Sequence, residues 1–500
     1  MGHNKKERWD NMEKINTKAE KVIDKIKKIY GGSGDVVNRI IDIKGTKVGC
    51  IFLESSSQTS TISDFIIKST VLAEKDKNLF NNLLNILKNK LFNCQLFTIR
   101  DFNEFPYYLS SGFTIIVVDG YDEAIVMETK ANLDRGITEA TSEPIIRGSK
   151  DSFTESHSKN LGLIRKRIKD PNLWFNEIKI GRRTKTKTTI AYINGIADDK
   201  KIKEIKKRLQ KIDIDGILDS GNIRDYLTTQ KSIFPQIKSS ERPDIACQEL
   251  LNGKIIILVE NSPFILILPT VFLDYLKSPE DQNQKSVNIT FTRILRFIAL
   301  IITILTPAIY IAVATYDQNT IPDKLLISLA VQREGVPFPT FFEIILFMTI
   351  FEVLRESDIR SPSNMTTAMS IVGALVLGQA AVDASIVSPI TIIIVAITSI
   401  SSLIFQDTDF INGIRFWRFL FIIASSMLGA IGIISMCLLL ITKIASLENI
   451  ETSFLSPLAP LEIDANKDTI IKFSNKDIFK RPKYISTKNE TKQGGGKWKN

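Results

Sequence analysis

The residues best placed to do chemistry in this 500-residue chain lie inside apolar sequence, where charge is costly. Gln379 and Asp383 fall at i and i+4 in a Gly- and Ala-rich run, so on a helix they share one face. A carboxylate deep in hydrocarbon costs about 2.5–3.5 kcal/mol on insertion scales, and such a group faces protein or water. The pair is the candidate lining of a hydrated path; the alternative sets Asp383 in a turn between two helices near one surface. Glu352, Arg355 and Glu356 stand at i, i+3 and i+4 and can pair on one face. That face belongs to an interfacial amphipathic helix or to a span whose charged end, marked by Arg355 and Arg360, emerges into the cytoplasm. Glu343, three residues after Thr340, matches a capping box in which the carboxylate reaches back to the start of its own helix.

A second set lies in polar sequence. Between Ala131 and Phe175 acids and arginines alternate, and Arg147, Glu155, Arg165 and Arg167 are the candidate members of an ion-pair network bridging two subdomains or two subunits. An anion site built from Arg147, Arg165 and Arg167 is the competing reading. Enzymatic motifs are missing: Gly31-Gly32-Ser33-Gly34-Asp35 lacks the lysine of a phosphate-binding loop, and no GxSxG or HExxH occurs. The only histidines are His3 and His157, too few for an ordinary zinc site, and His157 reads as a solvated loop residue. Neither a metal nor a cofactor is expected. Cys50, Cys94, Cys247 and Cys437 are isolated, as suits a reducing compartment.

The elements that must position these groups change character along the chain. A mean hydropathy of +0.05 averages a polar region over a greasy one. From Ile294 onward apolar stretches dominate, and Phe419 to Ile441 carries no charge across the roughly 20 residues a bilayer crossing needs. The expected fold is an α/β soluble N-terminal region of two tandem subdomains followed by an α-helical transmembrane bundle. Its parts are an N-terminal helix (1–34), subdomain 1 (35–130), a charged connecting segment (131–175), subdomain 2 (176–286), a membrane domain (287–446) and a polar tail (447–500). Four spans return the lysine-rich tail to the cytoplasm, whereas five put it outside. No apolar segment follows the basic N-terminus, so the soluble region is expected in the cytoplasm. The net charge of +10 comes from lysines mixed with acids on helix faces, without the aromatic pattern of a nucleic-acid site.

The two subdomains read as a repeat. Ile115–Asp119 recurs as Ile256–Glu260 at an offset of 141, and the same offset carries Lys47–Leu53 onto the strand at Thr188–Asn194. Gly120 maps onto Asn261, two residue types that tolerate positive φ. Other expected elements are helices at Ser63–Leu72 and Leu79–Leu91 and a hairpin turning at Asp119-Gly120.

Several long motifs occur in one order: SEPIIRGSKDSFTE (142–155), NLGLIRKRI (160–168), FPQIKSSERPD (234–244), REGVPFPTFFE (333–343), IVGALVLGQAAVDASIVSP (371–389) and LSPLAPLEIDANKD (455–468). Together they resemble the A subunit of the GerA family of spore germinant receptors over most of the chain. Two local departures occur, Asn261 where the family usually has glycine and RSPSNM after Ile359. The resemblance implies a spore inner-membrane protein, in contact with membrane lipid and with no nucleic-acid partner. It also implies a permease-like B subunit and a lipoprotein C subunit as partners, and a homo-oligomer that forms a ligand-gated cation pathway. A non-conducting scaffold subunit, or a related non-receptor branch acting in ion release, is the alternative it leaves.

Overall fold

The computed structural model describes residues 13–43, 45–63, 83–90, 96–132, 140, 142–228, 232–360, 376–462, 465–486 and 488–492. It divides into two compact units: Met1–Thr229 with Ile237–Pro269 and Phe479–Asn500, and Gln230–Gln236 with Thr270–Ile478. The expected helix at Ser63–Leu72 lies almost wholly outside the described residues. Within Leu79–Leu91 the helix is seen over Leu83–Lys90.

The first unit holds two antiparallel five-stranded sheets. Strands β1 (Val36–Ile43), β2 (Thr46–Leu53), β3 (Leu96–Ile99), β4 (Phe113–Val118) and β5 (Ala124–Glu128) run in spatial order β1-β2-β4-β5-β3. Strands β6 (Leu173–Ile180), β7 (Thr186–Ile193), β8 (Lys238–Ser240), β9 (Ile255–Val259) and β10 (Ile265–Leu268) repeat that order as β6-β7-β9-β10-β8. The central strands are continuous apolar runs because both faces are covered. On the first sheet, Ile15, Val22, Ile23 and Ile26 pack with Ile51, Leu53 and Ile115 on one side, while Leu83, Leu84 and Leu87 pack with Cys50, Ile116 and Ile125 on the other.

Register refines the repeat. Val48 pairs with Val118, and Thr188 with Val259, so β4 and β9 are 141 residues apart but β2 and β7 are 140 apart. Gly120 (φ 91°) and Asn261 (φ 65°) both adopt the left-handed conformation in the equivalent turn. The second sheet starts at Leu173, and the helix His157–Arg167 contributes Leu161, Leu163 and Ile164 to its core. Part of the expected connecting segment is thus integral to the second subdomain. His157 opens that helix and is buried, 2.8 Å from the Thr189 hydroxyl. It is not solvated, and burial pushes its pKa down. Nor are residues 479–492 a loose tail: Lys201 donates to the carbonyls of Tyr484 (2.6 Å) and Ile485 (3.0 Å), and Arg481 to that of Leu251 (2.8 Å).

The second unit is helical. Among the described residues, two helices have the length and apolar composition to cross a bilayer, Ser286–Thr315 and Thr408–Ser446. The latter is not one rod. Gly429 has φ 57° and ψ −136°, a region open essentially to glycine alone. A Cβ on Gly432 would collide with the Ala424 carbonyl, although eight residues of straight helix span about 12 Å.

The two ends of this segment also meet. Leu447 accepts a hydrogen bond from Phe454 N–H (2.9 Å), and Phe454 and Phe410 both pack on the Phe272 ring, with centroids 6.0 and 5.5 Å away. A straight 39-residue helix would hold them about 58 Å apart. The run expected as one span from Phe419 to Ile441 is therefore an antiparallel hairpin of helices 408–428 and 430–446. Tyr316 supports the reversal: its hydroxyl donates to the carbonyls of Ser426 (2.8 Å) and Met427 (3.2 Å), groups that cannot be left bare in lipid.

A second reversal joins helix 376–383 to helix Pro389–Ser402 through a turn in which Ser385 has φ 54°. At 14 residues, about 21 Å, the latter is shorter than a 30 Å hydrocarbon core.

Candidate functional site

In the membrane unit, polar side chains fix the helices to one another. Glu343 is fully buried, and its Oε2 accepts from Ser388 N–H (2.8 Å), Ser388 Oγ (2.9 Å) and Thr391 Oγ1 (2.9 Å). Ser388 is the N-cap of helix Pro389–Ser402, so Glu343 caps that helix and not its own start. The capping box expected with Thr340 gives way because the N-terminus 45 residues on offers three donors to one carboxylate oxygen. Arg333 Nε lies 3.9 Å from the other oxygen, Oε1, and neither atom has a hydrogen-bond partner among the described residues. The hydroxyl of Tyr310 is likewise buried, beside Ser388 and Thr391.

Further along helix Thr340–Arg360, Glu352 does not rely on Arg355 for its pair. Its two oxygens take Arg415 Nη1 (2.7 Å) and Arg418 Nη2 (2.5 Å) from helix 408–428. Those arginines went unnoticed in the sequence because they precede the apolar run that defines the span. Arg415 also donates to Asn412 (2.9 Å).

Gln379 and Asp383 do share a face, with Nε2 donating to Oδ1 at 3.3 Å. Asp383 ends helix 376–383 just before the turn, and both side chains are exposed on the single chain. The other charged joint of this unit centres on Asp281, bound by Arg293 (2.8 Å) and Arg296 (3.0 Å). Arg293 also holds Asp468 at 3.0 Å. Asp468 lies outside the spans; burial alone would raise its carboxyl, but Lys277, Lys472 and Arg293 bring it below the usual range.

In the soluble unit the structure splits the four expected network residues. Arg165 is fully buried and forks onto Asp35 at the start of β1, with Nε to Oδ2 at 3.0 Å and Nη2 to Oδ1 at 3.1 Å. Ser33 donates to Asp35 (2.7 Å) and accepts from Phe175 N–H (3.0 Å). The Arg165 guanidinium also lies 4.6 Å from the Phe175 ring centroid. Backbone joins the two subdomains at the same place, where Gly34 N–H donates to the Phe175 carbonyl (3.0 Å).

Gly31 is required here, at φ 60°, because any Cβ would strike the Trp174 ring. Burial pushes the Tyr30 hydroxyl up to about 12. It would also raise the Asp35 carboxyl, but the charge and hydrogen bonds of Arg165, with Ser33 and Ser55, hold it below the ordinary carboxylate range. Arg167 pairs instead with Asp151 (2.6 Å), while Arg147 and Glu155 are surface residues. The three arginines do not converge on an anion.

Close to this joint opens a cleft of about 690 Å³, floored by Phe97, Tyr107, Tyr108 and Phe113. Lys130 stands over Phe113 (4.8 Å) and Lys169 over Tyr107 (5.4 Å). Aromatic floor and ammonium rim suit a small molecule with an apolar body and an anionic group.

Comparison with known proteins places these features in one lineage. The family model described as Bacillus/Clostridium GerA spore germination protein matches residues 24–484. Spore germination protein KA of Bacillus subtilis is 37% identical over 484 residues, covering 96% of this chain and 89% of that protein. Spore germination protein GerLA of Bacillus cereus is 32% identical over 473 residues, covering 94% and 96%. Among solved structures, the N-terminal domain of the A subunit of the Bacillus megaterium spore germinant receptor GerK3 matches at 31% identity and a TM-score of 0.42, covering 52% of this chain and 98% of that one. With its two sheets followed by apolar helices, this chain belongs to the GerA family of spore germination proteins.

Proposed function

We propose that this chain is the A subunit of a spore nutrient-germinant receptor, an integral protein of the spore inner membrane with its two-sheet region in the cytoplasm. It works with a permease-like B subunit and a lipoprotein C subunit and converts germinant sensing into ion release. The end-to-end similarity to spore germination protein KA supports this role.

The reading extends to conduction. The observation that carries it is the Gln379–Asp383 pair, polar and exposed on an otherwise apolar helix. Intramembrane carboxylates face protein or water, and Asp383, the last residue of its helix before a turn, reaches water either at the membrane surface or in a path shared by several copies. Assembly of several copies with these helices inward would place the carboxylates around a hydrated path and attract cations. The buried Glu343 cap and the Glu352–Arg415–Arg418 pairs would hold the surrounding helices.

Asp383→Ala tests this directly, because an exposed residue whose side-chain hydrogen bond, among the described residues, lies within its own helix contributes little to folding. A conducting subunit predicts unchanged protein level and complex assembly, with germinant-triggered monovalent cation release slowed at least several-fold. Unchanged release at equal protein level would leave this chain as a scaffold.

A further inference from the structure

We infer that the turn carrying Asp383 opens to the membrane face opposite the one at which the chain enters and leaves the membrane unit, so that cations reach the Gln379–Asp383 pair from that far face. Cation entry rests on the conducting role proposed above, whereas the sidedness rests on packing alone.

An aromatic cluster fixes the near face. Phe272, ahead of the first span, packs on Phe410 (5.5 Å) and on Phe454 (6.0 Å), and Tyr275 stacks on Phe410 (4.8 Å). The chain enters the bilayer after Phe272 and has left it before Phe454, so it crosses an even number of times. Arg296 is fastened at the same level, donating to the Leu276 carbonyl (3.1 Å) and to Asp281 (3.0 Å), and such a charge cluster belongs at a water interface.

Three helices then measure the depth of the turn independently. Ala381 and Val387, on either side of it, pack with Ile311 of the first span. Ile311 stands fifteen residues beyond Arg296, about 22 Å along that helix. Helix Pro389–Ser402 leads from the turn back to Phe405, which packs on Phe410 (5.7 Å), and its 14 residues span about 21 Å. By the third route, Arg415 lies seven residues into helix 408–428 and holds Glu352 (2.7 Å), and Glu343, which binds Ser388, lies nine residues before Glu352; the two steps are about 10 and 14 Å.

The routes agree on a depth of about 21–24 Å in a hydrocarbon core of about 30 Å. The turn is therefore much nearer the far surface, where the first span ends and Tyr316 holds the tip of the hairpin at Ser426 (2.8 Å). Asp383, Ala384, Ser385 and Ile386 are exposed in succession. The cost of a charge falls toward the interface, so the carboxylate takes the shorter way to water.

The test uses the full chain with its four cysteines replaced by alanine, in sealed right-side-out and inside-out vesicles, and a sulfonated maleimide that does not cross the bilayer. Ala384→Cys should be labelled from the same side as Asn319→Cys, just past the first span, and Glu448→Cys, just past the last helix, from the other. Each should react at least about tenfold faster from its own side, because hydrocarbon excludes the charged reagent. Ile386→Cys, in the same turn, repeats the measurement if Ala384→Cys does not fold. Labelling of the turn from the side of Glu448→Cys, or from neither side, overturns the inference. If the turn labels with Asn319→Cys while Asp383→Ala leaves triggered cation release unchanged, the sidedness stands and cation entry falls with the conducting role.

Discussion

Arg165→Leu should lower the folding stability of the full chain by about 3–5 kcal/mol, the cost of removing one partner from a buried ion pair. The substitution leaves the Asp35 carboxylate, 1% exposed, without its counter-charge at the joint between the two sheets. Ser33 and Ser55 still donate to Asp35, at 2.7 and 2.9 Å, so the group is not wholly abandoned. Chemical denaturation of the purified protein measures the loss, and a change under 1 kcal/mol would show that the pair is not the joint's main fastening.

The same pair gives a pH signature. Asp35 has a depressed folded-state pKa, so its contribution is fully present above the unfolded value of about 4 and is lost as pH falls through the lower folded value. The wild-type chain should therefore lose stability below about pH 4 more steeply than an Asp35→Asn, Arg165→Leu double variant. Parallel acid profiles would contradict this.

Glu343→Ala should be nearly as damaging, by about 2–4 kcal/mol, through a different mechanism. It strips Ser388 N–H and the Thr391 hydroxyl of a buried acceptor and removes the negative charge from a helix N-terminus. Glu343→Gln keeps an acceptor oxygen of the same reach and should recover more than half of the loss. Thermal unfolding in detergent separates the two variants. Equal damage would mean that the charge, not the acceptor, holds the hairpin of helices 376–383 and Pro389–Ser402.

Periodic features were legible in the sequence. Central strands such as Phe113–Val118 and Ile255–Val259 announce themselves as apolar runs, and their common spacing exposed the repeated sheets. Asn261 was readable because its partner Gly120 left few ways to turn. The one-residue discrepancy between β2/β7 and β4/β9 was invisible because hydrophobic runs slide past each other without penalty in an unaligned string.

What failed to show was set by distance along the chain. Glu343 finds Ser388 45 residues away, and Arg165 finds Asp35 130 residues away, so local rules assigned a capping box to one and only a diffuse ion-pair network to the other. The hairpin at Gly429 was hidden for another reason: glycine is common in membrane helices, and hydropathy does not distinguish a span from two halves folded on each other.

The role proposed for this chain is transmission of a nutrient signal to ion release. It is tested most directly by nutrient-triggered monovalent cation release from spores carrying the chain, lacking it, or carrying Asp383→Ala at matched protein level. Loss of release in the deletion and slowed release in the variant are predicted. Normal release in both, across nutrients that trigger germination of the parent spores, would contradict the claim.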